Sequence, residues 1–148
     1  MIDFLARLFE SVYYFIFDTQ GYGEALCDVV YSNNDYLWLG GLIILIPLVI
    51  LAVFYVQTKL PLKFQKLQWL VVILVVLLIS FFASRELLYG NSGLRAAIQQ
   101  YDTEINLIDP FDFIRNLAFV STGYALVTSL IFSFFLRFIS PGNRNNPF

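Results

Sequence analysis

Three long apolar stretches separate the polar segments of the chain. They cover residues 36–56, 67–84 and 117–136, and none of them contains a charged side chain. A helix needs about 20 consecutive apolar residues to cross the hydrocarbon core of a bilayer. The pattern therefore predicts three transmembrane helices, and the remaining residues are too few for a second domain of ordinary size.

The first polar segment begins with an amphipathic pattern. In residues 2–17 apolar side chains recur at helical spacing, while Asp3, Arg7 and Glu10 fall on another sector. This pattern predicts a helix that is too short and too charged to span a membrane. Such a helix can lie in the membrane interface, or it can pack against the protein's own spans or a partner. The sequence leaves these alternatives open.

A second amphipathic segment lies between the second and third spans. Its apolar residues share one helical face, with Asn91 or Ser92 as the cap, and they are Leu94, Ala97, Ile98, Tyr101 and Ile105. A further short helix is expected at residues 24–31, and Asp109-Pro110 is expected to start the helix that continues into the third span. The predicted fold is thus an all-α membrane protein with three transmembrane helices and two amphipathic helices.

Two parts of the chain are predicted from this pattern. Residues 1–35 form the N-terminal amphipathic helix and a polar connection, and residues 36–148 form the three-helix transmembrane domain. Asp35 is expected to cap the first span, and Trp38 and Tyr55 are expected in the aromatic belts at its two ends. Pro47 in the middle of this span is expected to kink it.

The composition supports a membrane environment and limits which kinds of binding and catalysis the chain is expected to carry out. Of the 148 residues, 59% are apolar and 14% are charged, whereas soluble domains carry about 25% charged residues. The net charge of −2 comes without a basic cluster, so nucleic-acid binding is not predicted. The chain has no histidine, the commonest general base and metal ligand.

The distribution of charge predicts an orientation. One side of the predicted membrane carries five basic residues, namely Lys59, Lys63, Lys66, Arg137 and Arg144; the other carries four basic residues and all eleven acidic ones. Arg7, one of the four, is far from the first span and contributes little to the positive-inside rule. We expect the N-terminus outside and the C-terminus in the cytoplasm, in a bacterial inner membrane. Lys59, Lys63 and Lys66 are also candidates for contact with lipid headgroups.

The third span carries the most specific pattern, a ridge of small and hydroxyl-bearing residues. Its members are Ala118, Ser121, Thr122, Ala125, Ser129 and Ser133. Small side chains let another helix approach closely, and hydroxyl groups can hydrogen-bond across the contact. The ridge therefore predicts either an interface with another chain or packing against the first two spans, where Gly40 and Gly41 are the obvious partners.

The spans lack the groups that membrane chemistry requires. None contains Asp, Glu, Lys, Arg or His, which proton relays, ion-coupled transporters and voltage sensors need at membrane depth. Serines occur in the third span, but no base accompanies them. We therefore predict no catalytic site, no cofactor, no metal site and no small-molecule substrate.

Two functional hypotheses follow. The first is a non-catalytic integral-membrane subunit or anchor of a larger assembly, such as a secretion apparatus, a respiratory complex or an envelope complex. Its partners would be membrane lipids and other integral-membrane subunits or copies of itself. The second is a homo-oligomeric channel or pore, holin-like or an effector, lined by the hydroxyl groups of the third span. The layout resembles small accessory subunits of bacterial membrane machines in architecture only.

Overall fold

The computed structural model describes residues 1–17, 22–57, 62–105 and 111–139, and these residues fold into six α-helices. The helices are α1 (Ile2–Phe17), α2 (Tyr22–Ser32), α3 (Asp35–Gln57), α4 (Leu62–Gly90), α5 (Ser92–Ile105) and α6 (Asp112–Ile139). Helices α3, α4 and α6 are long and apolar enough to cross a membrane. The protein is therefore an all-α membrane protein, and the predicted fold class is confirmed.

The three spanning helices pack against one another, and α6 contacts both of the others extensively. Near the end of α3 and the start of α4, a small apolar cluster closes the bundle, with Leu51, Phe54, Tyr55 and Ile73 at its centre. Most residues of each span are not buried inside the chain. The outer faces of the spans therefore present apolar side chains to their surroundings, as membrane helices do.

The three shorter helices form a helical cap over one end of this bundle. Helix α1 packs on α3 and α6, α2 packs on α3 and α5, and α5 packs on α4. The cap lies where α3 begins, α4 ends and α6 begins, and it shares one large apolar core with them. Fully buried residues of this core include Phe9, Leu26, Leu88, Leu94 and Leu117.

Helix α4 is longer than predicted. Residues 85–90 continue the helix to Gly90, although the sequence predicts a polar connection after residue 84. Leu88 is fully buried in the cap core while Arg85 and Glu86 stay exposed. The burial of apolar side chains on one face therefore outweighs the local polarity that suggested a loop.

The side chain of Asn91 joins α5, the start of α3 and the turn between α2 and α3. Its Oδ1 accepts a hydrogen bond from the backbone N–H of Leu94 at 3.1 Å, so Asn91, one of the two predicted caps, caps α5. Its Nδ2 donates to the carboxylate of Asp35, and its Oδ1 also accepts from Asn33 at 3.4 Å. One amide side chain thus joins the start of α5 to the turn between α2 and α3.

One prediction for the first span needs correction. Asp35 is the first residue of α3, and its carboxylate bonds to Asn91; the preceding turn is closed by Asn34, which has φ of 60°. Asparagine tolerates this left-handed conformation better than most residues do. Tyr55 is buried at 4% exposure in the apolar cluster near the end of α3. Helix α3 continues through Pro47. The predicted start of a helix at Asp109-Pro110 lies outside the described residues.

Candidate functional site

The small-residue ridge of α6 is covered by helices of the same chain. Ala118, Ser121, Ala125 and Ser129 have no exposed surface, and Ser133 is 4% exposed. Thr122, at the edge of the ridge, is half-buried. In this fold the ridge is therefore occupied from within, and it offers little free surface to a second chain.

Two hydrogen bonds join the ridge to α4. The hydroxyl groups of Ser121 and Ser84 are 2.7 Å apart in a buried contact, and Trp69 Nε1 donates to Ser133 Oγ at 3.1 Å. The two bonds lie at opposite ends of an antiparallel α4–α6 contact. They fix the register of the two helices, because hydrocarbon offers no alternative partners for these groups.

The remaining hydroxyl groups of α6 bond to backbone carbonyls. Thr128 Oγ1 lies 2.7 Å from the carbonyl oxygen of Ile43, which links α6 to α3. Thr122 donates to the carbonyl of Ala118 at 2.8 Å, and Ser129 to that of Ala125 at 2.6 Å, both within α6. These hydroxyl groups are therefore engaged in helix packing and in local back-bonding.

The serines of α4 are the functional packing residues that the sequence reading missed. Ser80 and Ser84 are both fully buried and lie one helical turn apart on α4, and Ser84 contacts α6. The sequence feature that could have identified them is their four-residue spacing within a run of otherwise bulky apolar residues, which is typical of a close helix contact. Ser84 bonds to Ser121, whereas Ser80 Oγ has no hydrogen-bond partner within the described part of the chain.

The glycines of the first span do not receive α6. A Cβ atom added at Gly40 would lie 2.9 Å from Cδ1 of Leu5, so Gly40 provides the close approach of α1. A Cβ atom at Gly41 would meet no described atom within 4 Å. The prediction that these glycines partner the α6 ridge is therefore wrong, since the space at Gly40 is taken by the cap.

Helix α1 lies on the protein's own spans. Its inward face buries Ala6, Phe9 and Tyr13. The Phe9 ring lies 5.2 Å from the ring of Tyr124, whose hydroxyl donates to the carbonyl of Leu8 at 2.8 Å. The inward face is therefore held by both ring contacts and a hydrogen bond to α6.

The outward surface of α1 is divided into an apolar and a polar flank. On the apolar flank, Phe4 is 68%, Phe15 is 90% and Ile16 is 56% exposed. The polar flank carries the exposed Arg7 and also Asp3, which accepts a hydrogen bond from the Tyr31 hydroxyl of α2 at 2.5 Å. Because Asp3 faces α2, the polar flank of α1 lies toward α2 and the apolar flank lies away from α2.

Burial and neighbouring charges perturb titratable groups between α1 and α2. Burial raises the pKa of the Glu10 carboxyl, the nearby Tyr36 hydroxyl opposes this shift, and Asp28 and Glu24 add to it. Burial also raises the pKa of the Cys27 thiol, which stays in its protonated form at neutral pH. The Tyr36 hydroxyl neighbours both groups, and its hydrogen bonding lowers the pKa of each against the larger effect of burial.

An apolar groove runs between the second half of α1 and α6. Its volume is about 280 Å³, and its walls are Val12, Ile16 and Phe17 from α1 with Phe119, Val120, Gly123, Tyr124 and Val127 from α6. A Cβ atom at Gly123 would meet no described atom within 4 Å, so this glycine leaves open space in the groove.

Lys59, Lys63 and Lys66 are predicted to contact lipid headgroups, and their side chains lie outside the described part of the chain. Lys59 is not described, and Lys63 and Lys66 belong to the first turns of α4 without a described side chain. Elsewhere, Asp112 forms an ion pair with Arg115. Across the described ranges, no group of three or more His, Cys, Asp or Glu side chains could hold a metal ion.

Comparison of this chain with known protein families, curated proteins and solved structures finds no match.

Proposed function

We propose that this protein is a non-catalytic integral-membrane subunit or anchor of a larger membrane assembly. The observation that supports the proposal is the use of polar groups in the spans. Ser84 and Ser121, Trp69 and Ser133, and Thr128 with the Ile43 carbonyl all form contacts between helices of this chain. Because these polar groups form contacts within the chain, they support a rigid membrane scaffold. The helical cap is then the surface that remains for binding a partner.

The outward surface of α2 is polar, which suits a partner in the aqueous phase. Helix α2 exposes Glu24, Asp28 and Ser32, while its opposite face is buried in the core. Charged side chains on a docking surface steer association and select partners by complementary charge. We therefore expect a partner with a basic surface to bind the acidic face of α2.

The proposed setting is a bacterial inner membrane with the N-terminus and the cap outside. The cap helices and the adjoining ends of the spans hold nearly all acidic residues of the chain, while three lysines lie in the α3–α4 connection and the first turns of α4. The positive-inside rule then places that connection and the C-terminus in the cytoplasm. A cysteine introduced at exposed Ser32 should react with a membrane-impermeant maleimide added to intact spheroplasts.

Purification from the native membrane tests the proposal. The chain is extracted in mild detergent, and native mass spectrometry identifies what remains bound. We expect one or more different proteins in defined stoichiometry. The double charge reversal Glu24→Lys with Asp28→Lys should reduce their yield about tenfold, as loss of complementary charge at a docking face does.

The control for this experiment is Ser32→Lys, which adds a positive charge at another exposed position of α2. It should leave the yield within about twofold of the wild type, because a single rim charge contributes little to affinity. Recovery of this chain alone, as a monomer or as a defined multimer, would contradict the proposal. A multimer that also conducts ions in liposomes would favour the homo-oligomeric channel.

A further inference from the structure

The groove between α1 and α6 has the chemistry of a site for a lipid chain. The groove-lining side chains of α1 and α6 are apolar apart from Tyr124. The Tyr124 hydroxyl is already engaged, since it donates to the carbonyl of Leu8. A groove of this kind offers no hydrogen bonds to water or to a polar ligand, so its chemistry favours an apolar occupant.

The rim of the groove is continuous with the lipid-facing surface of the spans. Phe119 and Val127 border it on α6 and are both about half exposed, at 53% and 52%. Ile16 borders it on α1, and Phe15 next to it belongs to the exposed apolar flank. The groove therefore opens toward the bilayer, whereas the polar flank of α1 lies toward α2.

A helix of a second protein chain fits this groove poorly. Close helix–helix contact needs small residues spaced four apart. Here Gly123 stands alone, because the residues four positions before and after it are Phe119 and Val127, which are large and exposed. A thin, flexible chain can enter between such side chains where a helix cannot.

We propose that the groove between α1 and α6 binds one acyl chain of a membrane phospholipid, which seats α1 against the bilayer. The chain lies over Gly123 and packs between Val12 and Ile16 on one side and Phe119 and Val127 on the other. This inference does not depend on the protein being a subunit of a larger assembly. It would hold equally for a protein that works alone.

Photolabelling in nanodiscs tests the inference. The full chain is reconstituted with a phosphatidylcholine that carries a diazirine in its acyl chain, and labelled peptides are mapped by mass spectrometry. We expect label to concentrate on Ile16, Phe119 and Val127 over the equally exposed Leu74 and Ile79 of α4. Native mass spectrometry after detergent extraction should show one retained phospholipid per protein.

Filling the groove should remove this signal. The substitution Gly123→Leu should lower the labelling of the α1 peptide about tenfold, because roughly ten packed atom pairs of the acyl chain are displaced. Val12→Trp, which fills the groove from the α1 side, should act in the same direction. Gly41→Leu is the matched control, since an added side chain there also meets open space, and its labelling should equal that of the wild type.

Three results would overturn the inference. One is labelling spread evenly over the exposed faces of α3, α4 and α6. Another is a groove signal that survives both Gly123→Leu and Val12→Trp. The third is a crosslink through Gly123→Cys to a second copy of the chain, which would make the groove a protein contact. Unchanged thermal unfolding of Gly123→Leu ensures that a lost signal reports on the groove.

Discussion

At the scale of single residues, hydroxyl groups determine how the spans pack. Ser80 and Ser84 lie on the same face of α4, and both are fully buried. Ser84 shares a hydrogen bond with Ser121, whereas Ser80 Oγ has none among the described residues. A buried hydroxyl stabilises a contact only when it is paired, because desolvation of an unpaired one costs free energy. Ser80 and Ser84 therefore provide two comparable buried positions, one with a hydrogen bond between helices and one without.

We predict that Ser84→Ala lowers the free energy of unfolding by about 1 kcal/mol, since it also leaves Ser121 unpaired. Ser80→Ala should change it by less than about 0.5 kcal/mol or increase it, because no hydrogen bond is lost. Reversible unfolding in mixed detergent micelles measures both values. Equal destabilisation by the two substitutions would show that the hydroxyl bond is not the stabilising feature.

Glu10 gives a prediction for pH. Burial raises the pKa of its carboxyl above 4.5, so the folded state binds the proton more tightly than the unfolded state. Its contribution to stability is therefore fully present below pH 4.5 and is lost as pH rises through the pKa of the folded state. We expect Glu10→Gln to be more stable than the wild type at pH 8, with the difference shrinking toward pH 4.

Thermal unfolding in detergent across this pH range measures the difference between Glu10→Gln and the wild type. Glu86→Gln, at an exposed position on α4, is the control for removing one acidic side chain from the surface. A Glu10→Gln curve parallel to the wild type would show that the carboxyl at position 10 experiences no net burial cost.

At the scale of elements, α1 behaves as a bundle component and not as a free interfacial helix. Its pattern identified an amphipathic helix, but it did not determine what covers the apolar face. Leu5 lies over Gly40, and Phe9 packs on Tyr36 at 5.7 Å between ring centroids. The apolar flank with Phe15 remains exposed, so the protein covers only the inward face of α1.

The contact at Gly40 predicts how α1 can be displaced. Gly40→Leu would drive a side chain into Leu5, and overpacking of this kind costs about 1–3 kcal/mol. Hydrogen exchange of the α1 amides should therefore accelerate about tenfold or more, while the spans remain protected. Gly41→Leu, one residue along α3, should leave α1 exchange unchanged, and similar effects of both substitutions would exclude a specific α1–α3 contact.

At the scale of the whole molecule, the pattern of apolar and polar residues along the chain determined the fold class. Apolar stretches at 36–56, 67–84 and 117–136 predicted α3, α4 and α6, because a span must bury no charge and needs a minimum length of apolar helix. The helical periodicity of residues 2–17 predicted α1, and a helix-capping residue at Asn91 or Ser92 predicted the start of α5, for similarly local reasons. These features depend on residues close together in the chain.

Only the tertiary structure decided which faces meet. The ridge at Ser121 predicted a close helix contact, yet its partner is α4 through Ser84, and Gly40 receives α1. Residues 85–90 became helix because Leu88 is buried in a core assembled from all six helices. In a membrane, lipid and protein offer a helix similar apolar surroundings, so hydrophobicity alone does not distinguish them. Shape and hydrogen bonding between residues distant in the chain make that choice.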